Sequence, residues 1–124
     1  MSAHRGYVLL VDDDPAVARS LGRLLARWYE VQTCDGAAPA LDALGEHHVD
    51  VVVSDFDMPG RTGAWLLREV ARRYPTTGRV LVSGGDVPGV EGLLDGGVVH
   101  AFVAKRRAIV ELASVIEALL SRRR

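Results

Sequence analysis

Five short apolar runs divide the chain, and each ends in charged or turn-forming residues. Tyr7-Val8-Leu9-Leu10-Val11 runs into Asp12-Asp13-Asp14-Pro15, and Glu30 to Cys34 into Asp35-Gly36. Val51-Val52-Val53 runs into Ser54-Asp55-Phe56-Asp57-Met58-Pro59-Gly60, Arg79-Val80-Leu81-Val82 into Ser83-Gly84-Gly85, and Ala101 to Ala104 into Lys105. β-Branched residues are stiff at χ1 and suit strands. The valine run is apolar at successive positions, so it reads as a strand covered on both faces. Between the runs the period becomes helical. Val17, Leu21, Leu24, Leu25 and Trp28 predict one buried helix face, with Asp14 as N-cap and Pro15 in the first position. Further helices are predicted over Ala37–Gly45, Gly63–Tyr74, Val87–Leu94 and Ala108–Leu120. Pro88, Gly89 and Gly92 weaken the fourth of these. In the last, Ile109, Leu112, Ile116 and Leu119 are assigned inward, leaving Val110, Ala113, Val115 and Leu120 as apolar surplus. Trp65 is placed outward, as a surface aromatic or a contact residue.

Five strand-then-helix units imply an α/β fold with a five-stranded parallel sheet and helices on both faces. The flavodoxin-like strand order 2-1-3-4-5 fits, with residues 1–124 as a single domain. Composition adds exclusions. A net charge of −1 gives no general attraction to nucleic acid or to a membrane surface, and no direct nucleic-acid or membrane partner is expected. Arg122-Arg123-Arg124 reads as a solvated helix end, and His47-His48 as surface residues. Cys34, the one cysteine, has no internal disulfide partner. With no signal peptide or membrane span legible, the expected location is cytoplasmic.

The candidate chemistry lies where the strands end. In a parallel sheet those ends share an edge, where ligands bind. That edge collects Asp12 and Asp13, then Asp55, Ser83 and Lys105. Clustered carboxylates repel one another, and a divalent cation relieves the repulsion. Oxygen donors in small number suit Mg²⁺, which keeps several waters. Beside such a cation a carboxylate can attack phosphorus and form an aspartyl phosphate. A hydroxyl and an ammonium can then hold the phosphoryl oxygens. Lys105 is the one lysine beside fourteen arginines, a compact charge in a chain that otherwise uses the guanidinium.

These residues resemble the response-regulator receiver domain of two-component signalling, over nearly the whole chain. Val-Asp-Asp-Asp-Pro is similar to the family's acidic pair. The resemblance implies Asp12 and Asp13 as metal acids, Asp13 ranking first as the direct ligand. Ser-Asp-Phe-Asp-Met-Pro-Gly is similar to the phosphoacceptor loop, implying phosphorylation of Asp55 and a metal contact from the Asp57 backbone carbonyl. Ser83 and Phe102 match the switch pair, and Lys105 the motif lysine. Mg²⁺ is the implied cofactor. A sensor histidine kinase or histidine phosphotransfer protein is the implied donor. Such a domain is not an enzyme beyond its own Mg²⁺-dependent phosphorylation and autodephosphorylation. Homodimerisation through the last helix, including Val115, is a further expectation. The family usually carries proline after the lysine, with a cis peptide bond; here Arg106 follows. A non-proline cis bond costs about 2.5–4 kcal/mol, so the seat of Lys105 is open at this point.

The alternative is a haloacid-dehalogenase-like phosphatase, because Asp55-Phe56-Asp57 also resembles that family's Asp-x-Asp loop. Its nucleophile comes near the start of the chain, whereas here the acidic pair precedes it. A flavodoxin-like nucleotide or flavin binder would need a phosphate loop after the first strand, and none is present.

Overall fold

The computed structural model describes residues 6–122; Arg123 and Arg124 of the terminal arginine run lie outside the described residues. The strands are β1 (Tyr7–Val11), β2 (Glu30–Cys34), β3 (Val51–Asp55), β4 (Gly78–Ser83) and β5 (Ala101–Ala104). The helices are α1 (Pro15–Leu25), α2 (Ala37–Glu46), α3 (Gly63–Arg73), α4 (Val90–Asp95) and α5 (Ala108–Ser121), with one 3-10 turn at Lys105–Arg107. All pairings are parallel, in the order β2-β1-β3-β4-β5 that the alternation predicts. Val11 lies opposite Ser54, Asp55 opposite Val82, and Val82 opposite Val103. The carboxyl ends of four strands therefore finish nearly level.

Strand alternation sends side chains into two cores. Leu9, Val11, Val52 and Leu81 pack with α2, α3 and Leu93 of α4 on one face. Val8, Leu10, Val51, Val53 and Val80 pack with α1 and α5 on the other. β3 is buried at all five residues, as a strand covered on both faces must be. Asp14 caps α1, its carboxylate accepting from the amides of Ala16 (3.0 Å) and Val17 (3.4 Å). Pro15 stands at the head of α1 and Pro39 in the first turn of α2, where neither removes a helical hydrogen bond.

Three local expectations are corrected. First, α1 ends at Leu25, so Trp28 leaves the helical phase and is 42% exposed, while Tyr29 is buried in its place. Second, α4 is shorter than predicted. Pro88 and Gly89 form a turn, Gly89 with φ +77°, and Val87 packs into the core ahead of the helix. Third, the inward face of α5 is Ala108, Leu112, Ile116, Leu119 and Leu120. Ile109 is 61% and Val110 74% exposed, whereas Val115 is half-buried against the sheet. Trp65 is half-buried at the margin of the α2–α3 core, with the Arg61 guanidinium 4.6 Å above its ring. His47 and His48 are exposed as expected, His47 stacking on Tyr7 at 5.2 Å.

Candidate phosphoryl-transfer site

β1, β3 and β5 deliver the charged groups to one place. Asp12 and Asp55 are buried at 5% exposure each, and Asp13 is exposed. One carboxylate oxygen from each of Asp12, Asp13 and Asp55 lies within 4.8 Å of the others. Mg²⁺ binds oxygen at roughly 2.0–2.1 Å, so its ligands stand about 3 Å apart at right angles and about 4 Å apart when opposed. The three oxygens are of the donor type such an ion takes, and a side-chain adjustment of under about 1 Å would bring them to those separations. Asp12 is oriented by the Asp14 amide, which donates to its Oδ1 at 2.9 Å.

Lys105 begins the 3-10 turn. Its ammonium lies 3.3 Å from Asp55 Oδ2 and 3.4 Å from Asp12 Oδ2. No described peptide bond is cis, so the Lys105–Arg106 bond is trans and the lysine still reaches both carboxylates. Burial pushes the Asp55 carboxyl above its ordinary value. The Asp12 carboxylate raises it further, and the opposing pull of Lys105 does not cancel the two. Burial would lower the Lys105 pKa, but Asp12 and Asp55 together hold it above its ordinary value.

The other predicted residues are placed differently. Ser83 is buried at the end of β4, and its hydroxyl is held in its own loop. It donates to the Gly85 carbonyl at 2.9 Å and accepts from the Gly85 amide at 3.2 Å. Phe102 is half-buried against the α2–α3 core. Asp57 lies in the loop after β3 with its side chain exposed.

Two supports of Asp55 escape a reading by residue type. The buried Ser54 hydroxyl donates to the Asp55 carbonyl at 2.9 Å. Gly63, the first residue of α3, lies against the same carbonyl. A Cβ there would overlap the Asp55 oxygen and sit 2.9 Å from its carbon and 3.0 Å from Ser54 Oγ. Two of these three atoms are backbone and cannot rotate away. Gly63→Ala is therefore expected to cost about 1–3 kcal/mol or more, as overpacking does, and to shift Asp55. Thermal melts set beside phosphoryl labelling check this; a variant matching the parent in both would show that α3 yields freely.

Residues 8–117 match the family described as response regulator receiver domain. The transcriptional regulatory protein GlrR of Escherichia coli K12 is 33% identical over 107 residues, which is 85% of this chain and 24% of GlrR. The sensor kinase CckA of Brucella abortus is 32% identical over 118 residues, 93% of this chain and 12% of that kinase. This chain thus spans a quarter or less of either relative. Among solved structures, the signal receiver domain of an HD domain-containing protein from Pseudomonas fluorescens Pf-5 aligns with a TM-score of 0.80 at 26% identity. That alignment covers 99% of this chain and 95% of the other. These matches give no support to the haloacid-dehalogenase-like alternative. Sheet order, acidic edge and sequence agree: the chain belongs to the response regulator receiver domain family and is a regulatory module of two-component signalling.

Proposed function

We propose that this receiver takes a phosphoryl group from a phosphohistidine onto Asp55 and uses it to switch a protein-interaction surface. The observation that carries the proposal is the meeting of Asp12, Asp13 and Asp55 with the Lys105 ammonium at the carboxyl edge of the sheet. The donor is a sensor histidine kinase or a histidine phosphotransfer protein. An Asp55 carboxylate oxygen attacks phosphorus, the P–N bond to the imidazole breaks, and the leaving nitrogen keeps the bonding pair. Asp12, Asp13, Asp55 and the Asp57 carbonyl would hold Mg²⁺, which when bound neutralises charge developing on the phosphoryl oxygens. Lys105 takes another of those oxygens. Ser83 then exchanges its Gly85 carbonyl for a phosphoryl oxygen, and the space it leaves admits Phe102. The face formed by α4, β5 and α5 responds.

Incubation with a small acyl phosphate and Mg²⁺ tests the reading. One phosphoryl mass should appear on the peptide containing Asp55 and disappear when the metal is chelated. A label on another residue, or a metal-independent one, overturns it. Lys105→Arg keeps the charge but replaces a point donor with a broad plane. It is expected to accept the label and fail to switch, read as the loss of label-induced amide shifts in α4 and β5; parent-like shifts would reduce the role to charge alone.

The exposed Ile109 and Val110 support self-association through α5 more strongly than the half-buried Val115 does. Sedimentation velocity with beryllium fluoride and Mg²⁺ is expected to reveal a dimer absent without them. Monomers under both conditions at high protein concentration would remove this reading.

A further inference from the structure

β2 is one margin of the sheet and, among the described residues, pairs with β1 alone. The Glu30 amide donates to Gly6, and the Asp12 amide donates to the Cys34 carbonyl. Glu30 and Cys34 thus turn their backbone groups toward β1. By strand alternation, Val31 and Thr33 turn theirs outward. Those groups face a groove of about 930 Å³ that runs between α1 and α2 along the strand.

The two walls of this groove carry opposite charge. Arg19 and Arg23, one turn apart on α1, line one side; Asp42 and Glu46, one turn apart on α2, line the other, and Asp12, Asp13 and Asp35 close the end beside the acidic site. α1 packs on one face of the sheet and α2 on the opposite face. An extended segment laid beside β2 sends successive side chains alternately to those faces. One set would meet two guanidinium groups and the other set two carboxylates. A second copy of this chain is a poor occupant. Antiparallel pairing of β2 with its own equivalent keeps each face on its own side. It would set Arg19 and Arg23 against their counterparts, and Asp42 and Glu46 against theirs.

We infer that the α1–α2 groove accepts an extended segment of a different protein, with acidic and basic residues alternating, added as a sixth strand beside β2. Backbone hydrogen bonds to Val31 and Thr33 supply the anchor, and the charged walls supply the selection.

The test uses three blocked eight-residue peptides: alternating Glu and Lys, all Glu, and all Lys. At this length none holds a stable helix in water. The alternating peptide should protect the Val31 and Thr33 amides from hydrogen exchange, and salt should weaken its binding. It should bind roughly tenfold more tightly than either single-charge peptide, the scale of a few exposed ion pairs. Arg19→Glu with Arg23→Glu makes both walls acidic on exposed helix surface, where the fold has little to lose, and should transfer the preference to the all-Lys peptide. Three results overturn the inference. One is unchanged Val31 and Thr33 amides at millimolar peptide. Another is an unaltered preference in the double variant. The third is protection of the same amides by protein concentration alone, which would assign the groove to a second copy.

Discussion

Replacing Asp55 with Asn is expected to erase the phosphoryl label and, at neutral pH, to raise the melting temperature. The amide nitrogen cannot act as the nucleophile, so labelling should fall to background. The stability gain follows from the site's electrostatics. Asp55 is buried beside Asp12, and its folded pKa lies above the unfolded value of 3.8. A carboxyl raised in this way binds its proton more tightly folded than unfolded. The native state therefore loses stability as pH rises from the unfolded value through the raised one, and the loss is complete above the raised value. Asn carries no charge and removes that loss, while Lys105 keeps Asp12 as a partner at 3.4 Å. The variant should melt above the parent at pH 7, and the gap should close as pH falls below 3.8. Melts across that range, alongside mass spectrometry of the labelled protein, check both halves. A lower melting temperature at pH 7 would mean that the Lys105–Asp55 contact outweighs the crowding of carboxylates.

Arg79→Met is expected to produce the largest loss of stability. Arg79 begins β4's apolar run, is 5% exposed, and spends its guanidinium on backbone carbonyls. Its Nε donates to the Val98 carbonyl at 2.8 Å. Its Nη1 donates to Pro75 at 3.2 Å and Thr77 at 2.8 Å, and its Nη2 to Gly97 at 3.0 Å. Its own amide donates to Nδ1 of His100 at 3.0 Å. One guanidinium thus ties the loop before β4 to the loop after α4. Methionine keeps much of the apolar stem and deletes every side-chain donor, leaving four carbonyls to find other partners. The cost is about 3–5 kcal/mol, comparable to breaking a buried ion pair. In a chain of this length that lowers the melting temperature by about 10–20 °C. Circular-dichroism melts measure it, and loss of exchange protection at Val98 and Val99 would place the damage in the loop. A parent-like melt would mean that water serves those carbonyls as well as the guanidinium does.

Strand positions were legible because each valine- or leucine-rich run stops at residues that cannot extend it. The site's charged members were legible because parallel topology turns five separate strand ends into one edge. Helical phase was less secure. Trp28 continues the spacing of Leu21 and Leu25, but the chain turns after Leu25 and hands the buried place to Tyr29. In α5 the small Ala108 takes the inward position and sets the register, which leaves Ile109 facing out. Neither choice is visible in hydrophobicity alone. The contact between Gly63 and the Asp55 carbonyl joins residues from a strand and a helix, and spacing does not disclose a distance. Arg79 did leave a signal, a lone cation heading an apolar strand, but its carbonyl partners come from loops placed only by the fold.

The short α4 helix is a bar with unequal bearings. Both ends adjoin a glycine in the left-handed region, Gly89 before it and Gly97 after it, each with φ +77°. The far bearing is clamped, because Arg79 grips the carbonyls of Gly97 and Val98. Gly89, which follows the Ser83 loop, accepts instead from the Leu93 amide of its own helix at 3.2 Å, and among the described residues no side chain holds it. A displacement of Ser83 on phosphorylation, as proposed above, would act on the amino-terminal end of a lever about 9 Å long, six residues at roughly 1.5 Å each. Displacement would then be greatest near Val90 and shrink toward Asp95. A partner reading this surface would gain most leverage by gripping α4 at its amino-terminal end.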